Sequence, residues 1–331
     1  MKEIHLHVGL HKTGTTSLQK FCASKSAELF AGGIFYPDLS WPPGSKWDGN
    51  ASVSIQSVFS DRTHYLLDTT DSKEKLGASE ILHKLETKRP HGATVISAEA
   101  ISALKPDELQ DLRNFLTKDC GFERIVVYLT VREYYSFLCS DVQQRIKMGY
   151  PCMHDIREGL YSLPKASQRV RNIAKAFDGH DMVFIDFGEA KANGGIENAF
   201  FDAFNKTSRK TSYELKPDST TILLNESLGN ITTRIMDFYN ELKPYDTDTV
   251  RQAETIGLAK LKQIDDLIPN QSRFLLTSDE LAQCLDFIES ENSQLNSVTG
   301  YNLTVDTAKT AKPVSRGDAL CFLVEGVLKA L

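Results

Sequence analysis

The sequence of this 331-residue chain has few of the features that mark membrane or nucleic-acid-binding proteins. No uninterrupted apolar run approaches the roughly 20 residues that a bilayer-spanning helix needs. The first residues lead directly into a strand-like segment, without the apolar stretch of a signal peptide. The net charge of −6 gives no support to nucleic-acid binding, which requires a basic surface. The sequence therefore predicts neither a membrane nor a nucleic acid as a partner.

Cysteines with the spacing of redox or metal sites are also missing. None of the six cysteines belongs to a CxxC pair, and no group of histidines and cysteines has the spacing of a zinc site. We therefore expect reduced, mostly buried thiols. Hydrophobic residues make up 41% of the chain and charged residues 25%, which is ordinary for a globular protein. The length suits one large α/β domain, alone or with a helical addition.

The most informative stretch is IHLHVGLHKTGTTSL, residues 4–18. An apolar-rich run is followed by a tight turn between Gly9 and Gly14, and a Thr-Thr-Ser run then opens a segment with helical character. The unpaired N–H groups at a helix start carry partial positive charge, so a glycine-bounded turn before a helix forms a cradle for an anion. The pattern predicts a phosphate-binding loop.

This loop differs from the nucleotide P-loop in the position of its lysine. The spacing Gly9-x-x-x-x-Gly14 matches the first half of GxxxxGK[ST], but Thr15 stands where the P-loop lysine would be. The only lysine of the loop, Lys12, precedes the second glycine by two residues and is expected to reach a group that lies above the loop. The pattern argues against an ATPase or GTPase and for a different anionic cofactor.

The run from His11 to Ser17 resembles the 5′-phosphosulfate loop of sulfotransferases that use 3′-phosphoadenosine 5′-phosphosulfate (PAPS). In that family a lysine or arginine, a hydroxyl residue, a glycine and two more hydroxyl residues directly follow the first strand. The resemblance implies that the chain uses PAPS, releases 3′-phosphoadenosine 5′-phosphate (PAP) and needs no metal. The residues that it implies for binding the phosphosulfate are Lys12, Thr13, Gly14, Thr15, Thr16 and Ser17.

The family also has a 3′-phosphate site, made by an arginine at a strand end and a serine eight residues later. Residues 124–131, RIVVYLTV, have the nearly continuous β-branched and aromatic pattern of a buried parallel strand. Arg132 follows this strand, and Ser140 comes eight residues later within a predicted helix, residues 133–148. An arginine suits a phosphate because its planar fork donates two hydrogen bonds and stays charged. The resemblance implies that Arg132 and Ser140 hold the 3′-phosphate.

Sulfuryl transfer to a hydroxyl requires a base, and Glu99 is the first candidate. Residues 93–98, ATVISA, form a second strong predicted strand, and ligands of open parallel sheets collect at the carboxyl ends of the strands. Glu99 is therefore expected at the same edge as Lys12 and Arg132. A carboxylate at a strand end can equally cap the next helix or pair with a basic residue, and that alternative stays open.

Three histidines compete with Glu99 for the role of base. His11 lies in the loop itself but ranks lower, because the neighbouring Lys12 disfavours its taking up a proton. His5 and His7 alternate on one face of the first predicted strand. Both faces of a central strand are covered, so we expect these two side chains to be hydrogen-bonded residues of the core.

The order of predicted elements indicates an α/β fold, and the resemblance implies a P-loop-like, three-layer α/β/α arrangement with a central, mainly parallel sheet. We expect one sulfotransferase domain over residues 1–331. Residues 1–190 would form the PAPS-binding core, and the largely helical residues 191–331 would frame the acceptor pocket. Trp41 and Trp47 lie in a predicted loop and either line that pocket or pack the loop onto the core.

The expected reaction moves a sulfuryl group from PAPS to a hydroxyl, or less often an amine, of a small-molecule or carbohydrate acceptor. Many family members carry a membrane anchor that this sequence lacks, which implies a cytoplasmic enzyme. Two alternatives stay open: a P-loop small-molecule kinase that uses ATP and Mg²⁺, and a non-catalytic nucleotide-binding module. The sequence fixes neither the acceptor, which is a sugar, lipid, phenol or peptide, nor the number of chains that assemble.

Overall fold

The computed structural model describes residues 2–40, 49–61, 79–80, 82–83, 85, 92–214, 227–242, 263, 265–266, 268 and 271–330. Trp41, Trp47 and most of a predicted helix over residues 249–267 lie outside the described residues. The chain forms two compact units, each made of several segments. The first unit comprises Met1–Arg132, Ala166–Leu224 and Leu295–Tyr301, and the second comprises Glu133–Lys165, Asn225–Gln294 and Asn302–Leu331.

The first unit is built on a five-stranded parallel sheet with the strand order β2-β3-β1-β4-β5. Its strands are β1 (Glu3–Gly9), β2 (Ile34–Phe35), β3 (Ala93–Ser97), β4 (Arg124–Val131) and β5 (Asp181–Asp186). Strands β1 and β3 are buried at every position, as expected when helices cover both faces of a parallel sheet. The α/β class and the parallel sheet that the sequence predicts are confirmed.

The helices alternate with these strands in the first unit and make up most of the second. In chain order they are α1 (Thr15–Ser24), α2 (Ser26–Ala31), α3 (Ser52–Phe59), a 3₁₀-helix (Glu99–Ala103), α4 (Pro106–Asn114) with a π-helical turn (Phe115–Asp119), α5 (Tyr134–Lys147), α6 (Met153–Arg157), α7 (Ala166–Ala176), α8 (Phe187–Ala192), α9 (Ile196–Thr207), α10 (Asn230–Leu242), α11 (Ser278–Ala282), α12 (Leu285–Thr299) and α13 (Arg316–Ala330). Within the described residues, none of these helices has the length and apolar character to cross a membrane.

Two layers of helices cover the sheet. Helices α1 and α9 contact each other and share a core with β3, β4 and β5, in which Phe200, Phe201 and Phe204 are buried. Helices α4 and α7 pack together, and α7 also packs on the 3₁₀-helix that follows β3. Connections in parallel sheets are right-handed, so the segments that leave the neighbouring strands β1 and β3 run to opposite faces. A ligand crevice is expected at such a switch point, outside the carboxyl ends of the two strands.

The second unit is held together by buried polar contacts between helices. Gln143 of α5 donates to the carbonyl oxygen of Leu228 and to Thr233 of α10, each over 2.9 Å. Asp237 of α10 accepts hydrogen bonds from the backbone N–H groups of Cys152 and Met153, where α6 begins. The sequence predicts irregular structure over residues 150–163, and this prediction is wrong at α6. A distant carboxylate caps that short helix, and local sequence does not reveal such a contact.

Candidate functional site

The loop between β1 and α1 has a backbone that few residues tolerate. Lys12 has φ of 67° and Gly14 has φ of 79°, both in the left-handed region. A Cβ atom added to Gly14 would lie 2.9 Å from Phe187, and one added to Gly9 would lie 2.2 Å from Oγ1 of Thr15. The two glycines that bound the motif are therefore required by packing, and Gly14 by its backbone conformation as well.

Helix α1 begins at this loop without a capping side chain. Its N-cap is Gly14, no side chain bonds to the first N–H groups, and the first turn holds no acidic residue. The helix starts at Thr15, three residues earlier than the sequence predicts, and it is separated from α2 at Lys25. The first turn therefore presents N–H groups and partial positive charge on the side of the loop, which suits an anion.

The hydroxyl groups of the loop differ in their surroundings. Thr13 is fully buried, and its Oγ1 donates to the carbonyl oxygen of Leu10 over 2.5 Å. Thr15 is also buried, and its Oγ1 has no hydrogen-bond partner among the residues that the structure describes. Thr16 and Ser17 are partly exposed. An unpaired buried hydroxyl beside an uncapped helix start is an observation that fits a ligand rich in acceptor oxygens.

Arg132 lies directly against this loop. Its side chain is only 7% exposed, and Nη1 donates to the carbonyl oxygen of Lys12 over 2.9 Å. The guanidinium group also lies over the ring of Phe187, 5.2 Å from its centre. Arg132 and Lys12 therefore meet at the same sheet edge, and part of the arginine's donor capacity holds the loop backbone in place.

Glu99 follows β3 and begins the 3₁₀-helix, at the edge where the sequence places it. Burial raises the pKa of its carboxyl group above the ordinary value, while the charge of Lys12 and hydrogen bonds from Gln19 and Asn50 act in the opposite direction. Because the charge of Lys12 affects the pKa of Glu99, the two residues belong to one site at the adjacent ends of β1 and β3. A carboxylate with a raised pKa is a better proton acceptor than an ordinary one.

His11 is neutral in this environment at pH 7. Burial, together with the positive charges of Arg169 and Lys12, lowers its pKa to about 4. The sequence predicts a lowered pKa from the charge of Lys12 alone. In the structure, burial is the largest cause of the lowered pKa, and the charge of Arg169 on α7 has a larger effect than that of Lys12. A histidine with so low a pKa is a weak base, so the ranking of Glu99 above His11 is consistent with the structure.

The two histidines of β1 are core residues, as the sequence predicts. Both side chains are fully buried. His7 bonds through its ring nitrogens to Ser97 over 2.8 Å and Thr130 over 3.0 Å. His5 bonds to Tyr128 over 2.7 Å and to Glu3 over 3.2 Å. Each ring is satisfied inside the sheet, and neither residue is a candidate base.

Ser140 lies on α5, in the second unit, and its side chain is partly exposed. Arg132 is the last residue of a segment of the first unit. The pairing of Ser140 with Arg132 around a 3′-phosphate stays a prediction from the resemblance.

Sequence reasoning missed three residues of this site: Gln19, Asn50 and Arg169. Gln19 lies one turn into α1, and its burial at 1% exposure is unusual for a glutamine. Its spacing of one helical turn from Thr15 is the only signal in the sequence that could have drawn attention to it. Asn50 and Arg169 reach the site through the fold, and no local pattern marks them.

Within the part of the chain that the structure describes, no three His, Cys, Asp or Glu side chains form a group that could hold a metal ion. Comparison of the chain with family models, curated proteins and solved structures gives no match. The case for a function therefore depends on the geometry of the site and on the resemblance of its motifs.

Proposed function

We propose that the chain transfers a sulfuryl group from PAPS to a hydroxyl group of a small-molecule or carbohydrate acceptor. The observation that carries the proposal is the uncapped start of α1 after a loop whose Lys12 carbonyl is held by Arg132, with Glu99 close enough for its pKa to respond to the charge of Lys12. A cation, a set of helix N–H donors and a carboxylate of raised pKa are the three groups that such a transfer requires. All three lie where neighbouring parallel strands end, which is the usual place for a ligand in this architecture.

The loop would bind the donor's phosphosulfate through the N–H groups and hydroxyls of residues 13–17. Lys12, whose backbone is held in the left-handed region, would stabilise the negative charge that develops on the leaving phosphate oxygen. Arg132 would keep that loop in place through the Lys12 carbonyl. The 3′-phosphate contacts of Arg132 and Ser140 are carried into the proposal from the resemblance alone.

Glu99 would take the proton of the acceptor hydroxyl as its oxygen attacks sulfur. One S–O bond forms to the acceptor, the S–O bond to the leaving phosphate breaks, and the proton ends on the Glu99 carboxylate. Burial favours this proton transfer because it raises the pKa of the carboxyl group. The positive charge of Lys12 limits that rise in pKa.

Calorimetry with PAP, ATP plus Mg²⁺, and GTP tests the choice of nucleotide. The proposal expects PAP to bind most tightly, whereas preference for ATP with Mg²⁺ would favour the P-loop kinase. A transfer assay then tests chemistry with PAPS and a panel of sugars, phenols, lipids and peptides as acceptors. The proposal includes a cytoplasmic location, and fractionation of cells that express the chain tests it.

Two substitutions separate catalysis from binding. Lys12→Ala is expected to lower kcat by about 10²–10³-fold, the usual loss when one donor to a developing charge is removed. Lys105→Ala is the matched control, because that lysine is exposed and pairs with Glu108. Glu99→Gln is expected to abolish most turnover and keep PAP affinity. Unchanged turnover in Glu99→Gln would remove Glu99 as the base, whereas a wild type that binds PAP but shows no turnover with any acceptor would favour the non-catalytic nucleotide-binding module.

A further inference from the structure

Two buried amide side chains face the carboxyl group of Glu99. The first is Gln19 of α1, which is 1% exposed. Its Nε2 lies 3.5 Å from Oε2 of Glu99 and 3.4 Å from the carbonyl oxygen of Ser97, the last residue of β3. One amide group thus contacts both the end of the strand and the carboxylate that follows it.

The second amide is Asn50, which precedes α3 and is 5% exposed. Its Oδ1 accepts a hydrogen bond from the backbone N–H of Ser52 over 2.8 Å. That bond fixes the orientation of the amide, because the oxygen is directed to its own chain and the NH₂ group is directed away from it. The NH₂ group is then the part of Asn50 that can donate to Glu99, and its effect is to lower the pKa of that carboxyl group.

The segment that carries Asn50 is itself bound to β3 and the 3₁₀-helix. The N–H of Ala51 donates to the carbonyl oxygen of Ser97 over 3.2 Å. Oγ of Ser52 accepts from the N–H of Ala100 over 3.2 Å. These two bonds attach the segment that carries Asn50 to the end of β3 and to the 3₁₀-helix that Glu99 begins.

We propose that Gln19 and Asn50 are positioning residues that hold the Glu99 carboxylate from two sides and leave its remaining acceptor positions for the substrate hydroxyl. This inference rests on the proposed function, since it gives Glu99 the role of base. Neither amide touches the reacting atoms in this assignment. Their contribution is to fix the direction of the carboxylate and to favour its ionised form, because both donate hydrogen bonds to it.

The charged and titratable groups around Glu99 come from separate elements. Lys12 approaches from the loop after β1 and favours the ionised carboxylate. Tyr36 follows β2, and its interaction with Glu99 helps to raise the tyrosine pKa. Helix α7 packs on the 3₁₀-helix and carries Arg169. After burial, the charge of Arg169 is the next largest cause of the lowered pKa of His11, the neighbour of Lys12. Gln19 and Asn50 are uncharged, so substitutions of these two residues can separate their effect on the pKa of Glu99 from that of the charged groups.

The test uses two variants that change the donors and one control. Gln19→Leu removes one amide. Asn50→Asp keeps the oxygen that accepts from Ser52, but it replaces the NH₂ donor with a second carboxylate. Ser52→Ala breaks the bond to the N–H of Ala100 in the same segment without removing any contact to Glu99. The intact chain, labelled with ¹³C at the glutamate side-chain carboxyl carbons, gives the pKa of Glu99 by NMR, assigned from the signal lost in Glu99→Gln.

We expect the pKa of Glu99 to rise by about one unit in Gln19→Leu and by more in Asn50→Asp, where a like charge is added. The acidic limb of the kcat/KM profile should move to higher pH by the same amount, with PAP affinity unchanged. Ser52→Ala should leave both unchanged. A pKa that stays constant in both amide variants, or that moves equally in Ser52→Ala, overturns the positioning role.

The NMR readout does not depend on turnover. If the pKa shifts appear but wild-type protein transfers no sulfuryl group, the contacts of the two amides to Glu99 are upheld and the sulfotransferase proposal fails. If wild-type protein is active and the pKa does not respond to either amide, the sulfotransferase proposal is upheld and the positioning inference fails.

Discussion

Replacement of Thr15 by valine is expected to stabilise the fold and weaken ligand binding at the same time. Oγ1 of Thr15 is buried beside Gly9 and has no hydrogen-bond partner. Valine has the same branched shape, so Thr15→Val exchanges an unpaired hydroxyl for a methyl group without opening a cavity. The two effects have opposite signs only if the hydroxyl is unpaired in the free protein and is paired when phosphosulfate is bound.

The size of the stability effect follows from the burial of the hydroxyl. An unsatisfied buried polar group costs about 1–3 kcal/mol. The free energy of unfolding should therefore rise by about 1 kcal/mol or more in Thr15→Val, which corresponds to roughly 2–4 °C in Tm for a unit of this size. Thr16→Val is the matched control for stability, because the Thr16 side chain is partly exposed and its hydroxyl can be hydrated.

The size of the binding effect follows from the charge of the ligand. A hydrogen bond to a charged group contributes about 1.5–3 kcal/mol. PAP should therefore bind roughly 10- to 100-fold more weakly to Thr15→Val. Urea unfolding gives the first quantity, and calorimetry at fixed salt gives the second. A variant less stable than the wild type, or one that binds PAP with undiminished affinity, would refute the role given to this hydroxyl.

Three further predictions concern the loop, His11 and the second unit. Gly14→Ala should lose about 1–3 kcal/mol more than Gly300→Ala in urea unfolding: the two glycines have similar φ, 79° and 75°, but only at Gly14 does an added Cβ meet another side chain, that of Phe187 at 2.9 Å. An equal loss of unfolding free energy in both variants would show that the contact with Phe187 does not affect stability. Arg169→Ala should raise the pKa of His11 above its value of about 4, because one of the two positive charges that lower it is removed. NMR titration of the imidazole measures this pKa. An unchanged pKa would place Arg169 away from the site. Burial raises the pKa of Asp237 from 3.8 to about 6, so the stability that its protonated form gives the folded chain is lost as pH rises from about 4 to above 6. The unfolding free energy should gain about 2 kcal/mol from this group as pH falls from 7 to 4, and Asp237→Asn should lack that gain. Parallel pH profiles for wild type and Asp237→Asn would contradict this account.

The sequence was sufficient to predict the elements whose signals are local. Strand β4 is a continuous run of β-branched and aromatic residues, and its bounds agree with the prediction. The strand, turn and helix start around residues 9–15 were predictable because glycine spacing and hydroxyl residues specify these elements within a few residues. The meeting of Glu99 with Lys12 followed from one rule, that parallel strands share the edge at which they end.

The remaining features depend on contacts between residues far apart in the chain. The Arg132 side chain donates to the Lys12 carbonyl oxygen and lies over the ring of Phe187. Both partners are far from Arg132 in the chain. The segment that carries Asn50 is attached to β3 through the N–H of Ala51 and to the 3₁₀-helix through the hydroxyl of Ser52. Periodicity and propensity carry no information on such contacts. They are also the contacts that decide how the candidate base is held.

The left-handed backbone of Lys12 places protein stability and chemistry in conflict at a single position. Among the described residues that are not glycine, Lys12 alone has positive φ. Glycine would adopt this conformation with about 1–2 kcal/mol less strain. A mutant library screened only for heat resistance should therefore accumulate glycine at position 12, while one screened for product formation should retain lysine. Divergence between those two screens would identify this residue as one kept for what it does, against the preference of the fold.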